Sequence, residues 1–170
     1  GGRDPYLTGP LARYSLNGGQ LPELARQAAA AAGLGVQCRN PFRSIVVRSV
    51  ELVFACDEAI SLIEGYEPPD PPAAPVHPGP GTGAGTTEAP RGVLLHRYVL
   101  GDDGTIASAR IMAPTGQNHL TIEADLRRVA EANLAAPDDT LVRLCEQTVR
   151  NHDPCISCAA HFLDLRVRRR

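Results

Sequence analysis

The sequence predicts an α+β fold that is mainly helical. Three observations carry this: apolar residues recur at helical spacing over two separate stretches, a central stretch switches to a strand-like period around a glycine-rich turn, and a proline- and glycine-rich segment divides the two regimes. The chain has 170 residues, 43% of them hydrophobic, which suits one domain, or a large piece of one, with a sizeable core. Aromatic residues make up only 4% and tryptophan is absent, so packing falls to Ala, Val, Leu and Ile.

Residues 20–66 read as two helices. "LPELARQAAAAAG" (residues 21–33) has high helix propensity and ends at a glycine, the usual stop. Asn40 then offers an N-cap, with Pro41 at the first helical position. A long helix over 41–65 follows, in which Ile45, Val46, Ser49, Leu52, Val53, Cys56, Ala59, Ile60 and Ile63 recur at helical spacing and predict a broad buried stripe. Cys56 reads as a small core residue within it. Residues 67–90 are too rich in proline and glycine for a helix or a central strand, and read as a polyproline-like connector or extended loop, with His77 facing solvent. Over 92–112, "GVLLHRYVL" and "TIASARIM" flank "GDDG", which is hairpin chemistry and predicts two antiparallel strands. Helical spacing returns over 121–161: Thr121 and Ile122 open one helix, and Asp138 or Asp139 caps the next, with Cys145 on its apolar side beside Leu141, Leu144 and Thr148.

Several function classes are disfavoured. The net charge is −2, which argues against a nucleic-acid surface, and the terminal "RVRRR" reads as a solvated tail. No apolar run approaches the ~18–20 residues of a membrane span. The N-terminus has no signal-peptide pattern and no initiator methionine, so the chain is expected to begin inside a longer protein. Five cysteines, an odd count, fit reduced thiols in a cytoplasmic setting better than a disulfide framework.

The stretch with most chemistry is "RNHDPCISCAAHF" (residues 150–162). Asp153 and Pro154 suit the cap and first position of a helix. Three residues advance ~300° around a helix, so Cys155, Cys158 and His161 drift by only ~60° per step and share a face. The positive end of the helix dipole favours thiolate there. A structural zinc site would lack a second Cys or His pair at the usual spacing; His152 and His161 could complete a set with the two cysteines, but such sites usually use loop knuckles. A thioredoxin-like dithiol would want a preceding βαβ pattern that is absent. Two coincidental core thiols would not need Asp-Pro in front and histidine behind. Spacing alone points to a soft metal without naming it.

"DPCISCAAHF" resembles the C-terminal cysteine motif of nickel–iron hydrogenase large subunits. "EAPRGVLLHRY" (residues 88–98) and "APTGQNHLTIEADLR" (residues 113–127) resemble the two blocks that precede it in that family, and the run from "NPFRSI" to "EGYEPPDPP" is most similar to the cytoplasmic, NAD(P)-linked bidirectional class. The resemblance spans essentially the whole chain. It implies the helical core of such a large subunit with a β-hairpin insertion, and a C-terminal portion of it, residues 162–170 being a C-terminal extension. It further implies Cys155 as a terminal nickel thiolate, Cys158 as a nickel–iron bridge, and His161 as a ligand of magnesium or a similar divalent ion. Arg91 would hold its guanidinium over the open metal position, oriented by Asp153. Pro90, Arg91, Pro114 and Thr115 would line the pocket for the cyanide and carbonyl ligands of iron, with Thr115 donating to a cyanide.

The implied reaction is reversible heterolytic cleavage of dihydrogen. Electrons would pass through the small subunit and electron-transfer subunits to NAD(P), since no iron–sulfur or dinucleotide motif occurs in this chain. A maturation endopeptidase would remove the extension after His161. The family also needs an N-terminal cysteine pair in an Arg-x-Cys-Gly-x-Cys pattern, which Cys38, Cys56 and Cys145 do not match. The missing N-terminal half of the subunit is therefore an expected partner, and this chain alone is expected to be inactive. The competing readings are a truncated remnant, a metal-free, hydrogenase-like scaffold subunit of a quinone-reducing complex, and a small zinc-binding module.

Overall fold

The computed structural model describes residues 4–77 and 79–155. Its architecture is α+β and mainly helical, with a single antiparallel sheet among the described residues. Helices α1 (Pro10–Asn17), α2 (Glu23–Ala31) and α3 (Ser44–Glu64) come first. α2 stops as its sequence predicts. Gly33 takes φ 64°, its N–H donates to Ala30 O at 2.9 Å, and the Leu34 N–H reaches back to Ala29 O at 2.9 Å. This paired closure needs a left-handed residue, which glycine adopts without a Cβ clash. Arg43 then covers carbonyls that helix termini leave unpaired, donating to Gly33 O at 2.9 Å and Ala32 O at 2.6 Å. The Asn40 side chain accepts from Phe42 N at 3.0 Å and caps the 3₁₀ turn Pro41–Arg43 that leads into α3.

The core lies among these three helices. Leu11 and Tyr14 of α1, Ala25 and Ala29 of α2, and Val47 and Val50 of α3 are buried together with Leu34 and Cys38. The two alanines let backbones approach, and full burial of Val47 contributes about 1.5–3 kcal/mol. The broad buried stripe expected along α3 stops early. Its buried residues are Ser44, Val47 and Val50, whereas Ile45, Leu52, Ile60 and Ile63 are 57–76% exposed, and Cys56, expected in the core, is exposed too. Periodicity reports that a face is apolar, not what covers it, and the described residues cover only the first half of this helix. None of the described helices is long and apolar enough to cross a membrane.

Strands β1 (Gly81–Ala89), β2 (Gly92–Leu100) and β3 (Ile106–Met112) form a meander in that order. The register of the first pair runs from Gly81↔Leu100 to Ala89↔Gly92. The expected hairpin is β2–β3, turning at Gly101–Gly104 with Gly104 at φ 78° and its N–H on Gly101 O at 3.0 Å. β1 corrects the reading of 67–90 as connector throughout. Past Pro80 no proline interrupts 81–89, and an exposed edge strand tolerates the glycines that a central strand would not.

A helical turn, α4 (Pro114–Gln117), leads into α5 (His119–Ala132) and α6 (Asp138–Asn151). α5 begins at His119, two residues before the expected Thr121. The Asn118 side chain at that junction bonds to Thr8: Oδ1 accepts from Thr8 N at 2.7 Å and Nδ2 donates to Thr8 O at 3.1 Å. Asp138 and Asp139 are first-turn residues of α6 rather than its cap, which is Pro137; there they still favour the helix dipole. Leu141, Cys145 and Thr148 form the buried face of α6, as their spacing predicts. Ser44 Oγ donates to Asn151 O, tying the end of α6 to the start of α3.

His152, just past α6, packs against α5. Its side chain is only 2% exposed, and Nε2 lies 3.1 Å from Asp125 Oδ2. Burial pushes its pKa below the ordinary value, outweighing the raising influence of Asp125. The unfolded imidazole therefore binds a proton more readily than the folded one, and this contribution to stability is full above about pH 6.5 and is lost as the pH falls below it. In thermal unfolding of the complete subunit between pH 8 and pH 5, the midpoint of His152→Gln should fall less on acidification than that of the parent. Equal falls would contradict the assignment.

Candidate metal centre

Three chain segments converge beside the end of α6. They are the β1–β2 turn bearing Pro90 and Arg91, the start of α4 bearing Pro114 and Thr115, and the turn His152–Cys155. Asp153 has φ 47°, the single positive value outside glycine among the described residues, and its N–H donates to Arg150 O at 3.0 Å. Aspartate tolerates this left-handed conformation better than most residues, and the following Pro154 steers it away from continuing the helix. The helix that Asp153 was expected to cap falls outside the described residues; within them, Asp153 closes the last turn after α6 and its carboxylate serves two guanidinium groups. Oδ2 lies 3.1 Å from Arg48 Nη1 and 3.1 Å from Arg91 Nε, while its backbone carbonyl accepts from Arg91 Nε at 2.9 Å. Arg91, 43% exposed, is thus fixed at its Nε by both oxygens.

On the other side, Thr115 Oγ1 accepts from Cys155 N at 3.3 Å. That bond fixes the backbone carrying the thiol and leaves the hydroxyl proton for another acceptor. Pro90 gives its carbonyl to Arg13 Nη2 at 2.7 Å. Pro114 sits in the first turn of α4, its carbonyl accepting from Asn118 N at 3.0 Å. Of the residues singled out from the sequence, Arg91 meets Asp153, and Thr115 meets Cys155. Cys158 and His161 lie outside the described residues. Cys38 and Cys145 are buried, Cys56 is exposed, and no three His, Cys, Asp or Glu side chains gather as a metal cage among the described residues.

Sequence reasoning missed four contributors from the first 50 residues. Arg48 pairs with Asp153, Arg13 binds the β1–β2 turn, and Thr8 and Gly9 pack against Arg91 and Gly92. Gly9 and Gly92 have φ 100° and 132°; a β-carbon at Gly9 would run into the Arg91 carbonyl, and one at Gly92 into the Thr8 side chain. Glycine is required at this approach for both reasons. Between these parts lies a cavity of about 20 Å³, in which Arg48, Arg91, Asn151 and Asp153 line a wall that Leu7, Pro10 and Leu11 share. Among the described residues, buried Arg48 Nε and Asn151 Nδ2 have no hydrogen-bond partner. The arrangement can present one soft sulfur on a fixed backbone, with a guanidinium tied to the residue two before it. These fit part of a nickel–iron site.

No protein-family model matches the chain. It is 31% identical to sulfhydrogenase 1 subunit alpha of Pyrococcus furiosus over 163 residues, covering 95% of this chain and 38% of that protein. It is 38% identical over 86 residues to the NAD-reducing hydrogenase HoxS subunit beta of Cupriavidus necator, covering 49% of this chain and 18% of the relative. Among solved structures, an NAD⁺-reducing [NiFe]-hydrogenase in the H2-reduced state superposes with TM-score 0.75 at 28% identity, over 92% of this chain and 36% of that one. The Ni-Fe-Se hydrogenase of Desulfomicrobium baculatum shares the fold, with TM-score 0.60 over 93% of this chain. The chain spans between a third and two fifths of the length of the sulfhydrogenase subunit and of the NAD⁺-reducing structure. With its three motifs, their order and its fold accounted for together, the chain belongs to the nickel–iron hydrogenase large-subunit family, of which it represents a C-terminal portion.

Proposed function

We propose that this chain supplies the C-terminal part of the catalytic subunit of a nickel–iron hydrogenase, which cleaves dihydrogen heterolytically and reversibly. The observation that carries the reading is the convergence of Arg91, Asp153, Thr115 and Cys155 from three distant motifs onto one turn. Cys155 and Cys158 would hold nickel, with Cys158 also bridging to iron. Pro90, Pro114 and Thr115 would line the pocket of the iron's cyanide and carbonyl ligands, and His161 would bind magnesium or a similar ion. When bound, the nickel–iron centre supplies the redox and Lewis-acid chemistry for dihydrogen. Arg91 contributes a fixed cation beside the reacting position, worth most where water is excluded, and Asp153 keeps it oriented. The Cys155 sulfur can accept a proton.

Electron transfer to NAD or NADP through iron–sulfur partner subunits is supported by the NAD-linked relative and by the NAD⁺-reducing structure. The remaining cysteine ligands would come from the N-terminal half of the subunit, with residues 1–170 forming one portion of a single domain. Residues 162–170 would be an extension that a maturation endopeptidase removes after His161, in the cytoplasm. The scaffold reading is disfavoured by the presence of both Cys155 and Cys158 in the sequence, and the zinc-module reading by the lack of a second Cys or His pair at the usual spacing. Metal analysis of the complete subunit decides: nickel with iron and dihydrogen-dependent reduction of an artificial acceptor are expected, whereas zinc alone, or no metal, would refute the proposal.

A further inference from the structure

We infer that Arg13 is a positioning residue for Arg91, an inference that rests on the function proposed above. Arg13 lies on α1, far from every motif in the sequence, yet its guanidinium binds three consecutive residues before Arg91. Nη1 donates to the Glu88 carboxylate and to Ala89 O at 3.0 Å, and Nη2 donates to Pro90 O at 2.7 Å. The other edge is anchored in α3, with Nε and Nη2 forking onto Glu51 at 2.8 and 2.7 Å. A stabilising ion pair would need only Glu51. The two carbonyl bonds are aimed at the turn itself.

That turn needs a brace. The β1–β2 ladder ends at Ala89↔Gly92, so Pro90 and Arg91 lie beyond the last strand pair. Proline has no N–H, which leaves its carbonyl as the one backbone handle at residue 90. Thr8 and Gly9 also lie against the turn, at Gly92 and the Arg91 carbonyl. Arg13 therefore sets where the Arg91 backbone sits, and so where its guanidinium meets Asp153. Lysine at 13 would keep the charge, but a single ammonium cannot reach two carboxylates and two carbonyls in a planar fork.

The test is Arg13→Lys in the complete subunit with its partner subunits. The expected result is a fall of about tenfold in kcat, because small misplacements of a catalytic group are costly, with KM for dihydrogen within twofold and nickel and iron content unchanged. Amide exchange at residues 88, 89, 91 and 92 should quicken at least tenfold, while protection in α2 and α5 stays as in the parent. Unchanged exchange at the turn overturns the brace. A loosened turn with kcat within twofold of the parent overturns the positioning role, and so does activity lost in parallel with metal or with protection throughout the subunit. A parent subunit with no nickel and no turnover would strike the functional reading instead, and the exchange measurement would still decide whether Arg13 holds the turn.

Discussion

Arg91→Lys in the complete large subunit is expected to keep folding and metal content while losing about a hundredfold in dihydrogen turnover. The magnitude follows from removing one preorganised charge beside a reacting centre. Folding should survive because the side chain is 43% exposed and its ion pair is partly solvated, so the pair adds little stability. Asp153 also keeps its second partner, Arg48, 3.1 Å away. What lysine cannot copy is the geometry. Arg91 uses one nitrogen, Nε, on both the carbonyl and the carboxylate of Asp153, leaving the outer edge of a rigid plane facing elsewhere. An ammonium on a flexible stem either binds Asp153 or swings free. Uptake of dihydrogen with an artificial acceptor, set against nickel and iron content, checks this. Activity within twofold of the parent would remove Arg91 from the mechanism.

Cys158→Ser should be more severe, leaving about a tenth or less of the parent's nickel and no measurable turnover. Serine presents a hard, weakly acidic hydroxyl where soft metals bind thiolate. Cys155→Ser makes the same case at a described position. Cys155 is fastened to Thr115 through its backbone N–H, so serine keeps that bond while replacing the ligand atom. Metal analysis of each variant, with helix content measured by circular dichroism, separates ligand loss from misfolding. Full nickel in Cys158→Ser would refute the bridging assignment, and full nickel in Cys155→Ser the terminal one.

The elements whose causes are local were legible from the chain. The stop at Gly33, the cap at Asn40, the Gly101–Gly104 turn and the apolar face Leu141–Cys145–Thr148 each depend on residues within a turn or two of one another. The errors fell where a distant segment decides. β1 forms because β2 offers it a ladder, not because "GTGAGTTEA" favours a strand. Cys56 reads as core by periodicity, yet lies on a part of α3 that no described residues bury.

The sequence by itself determined α2, α3, the β2–β3 hairpin, α5 and α6, and the family through three ordered motifs, and it nominates the candidate ligands, because these rest on residue chemistry and short-range spacing. Only the tertiary structure decided what surrounds them. Arg13 reaches Pro90 across 77 residues, Thr8 reaches Asn118 across 110, and Ser44 reaches Asn151 across 107. Such contacts leave no periodic trace, since an arginine at the end of a long-range bridge has the same neighbours in sequence as one in solvent. Packing α1 and α3 against the β1–β2 turn brings these partners within hydrogen-bonding distance, and that packing depends on the shape of the whole core.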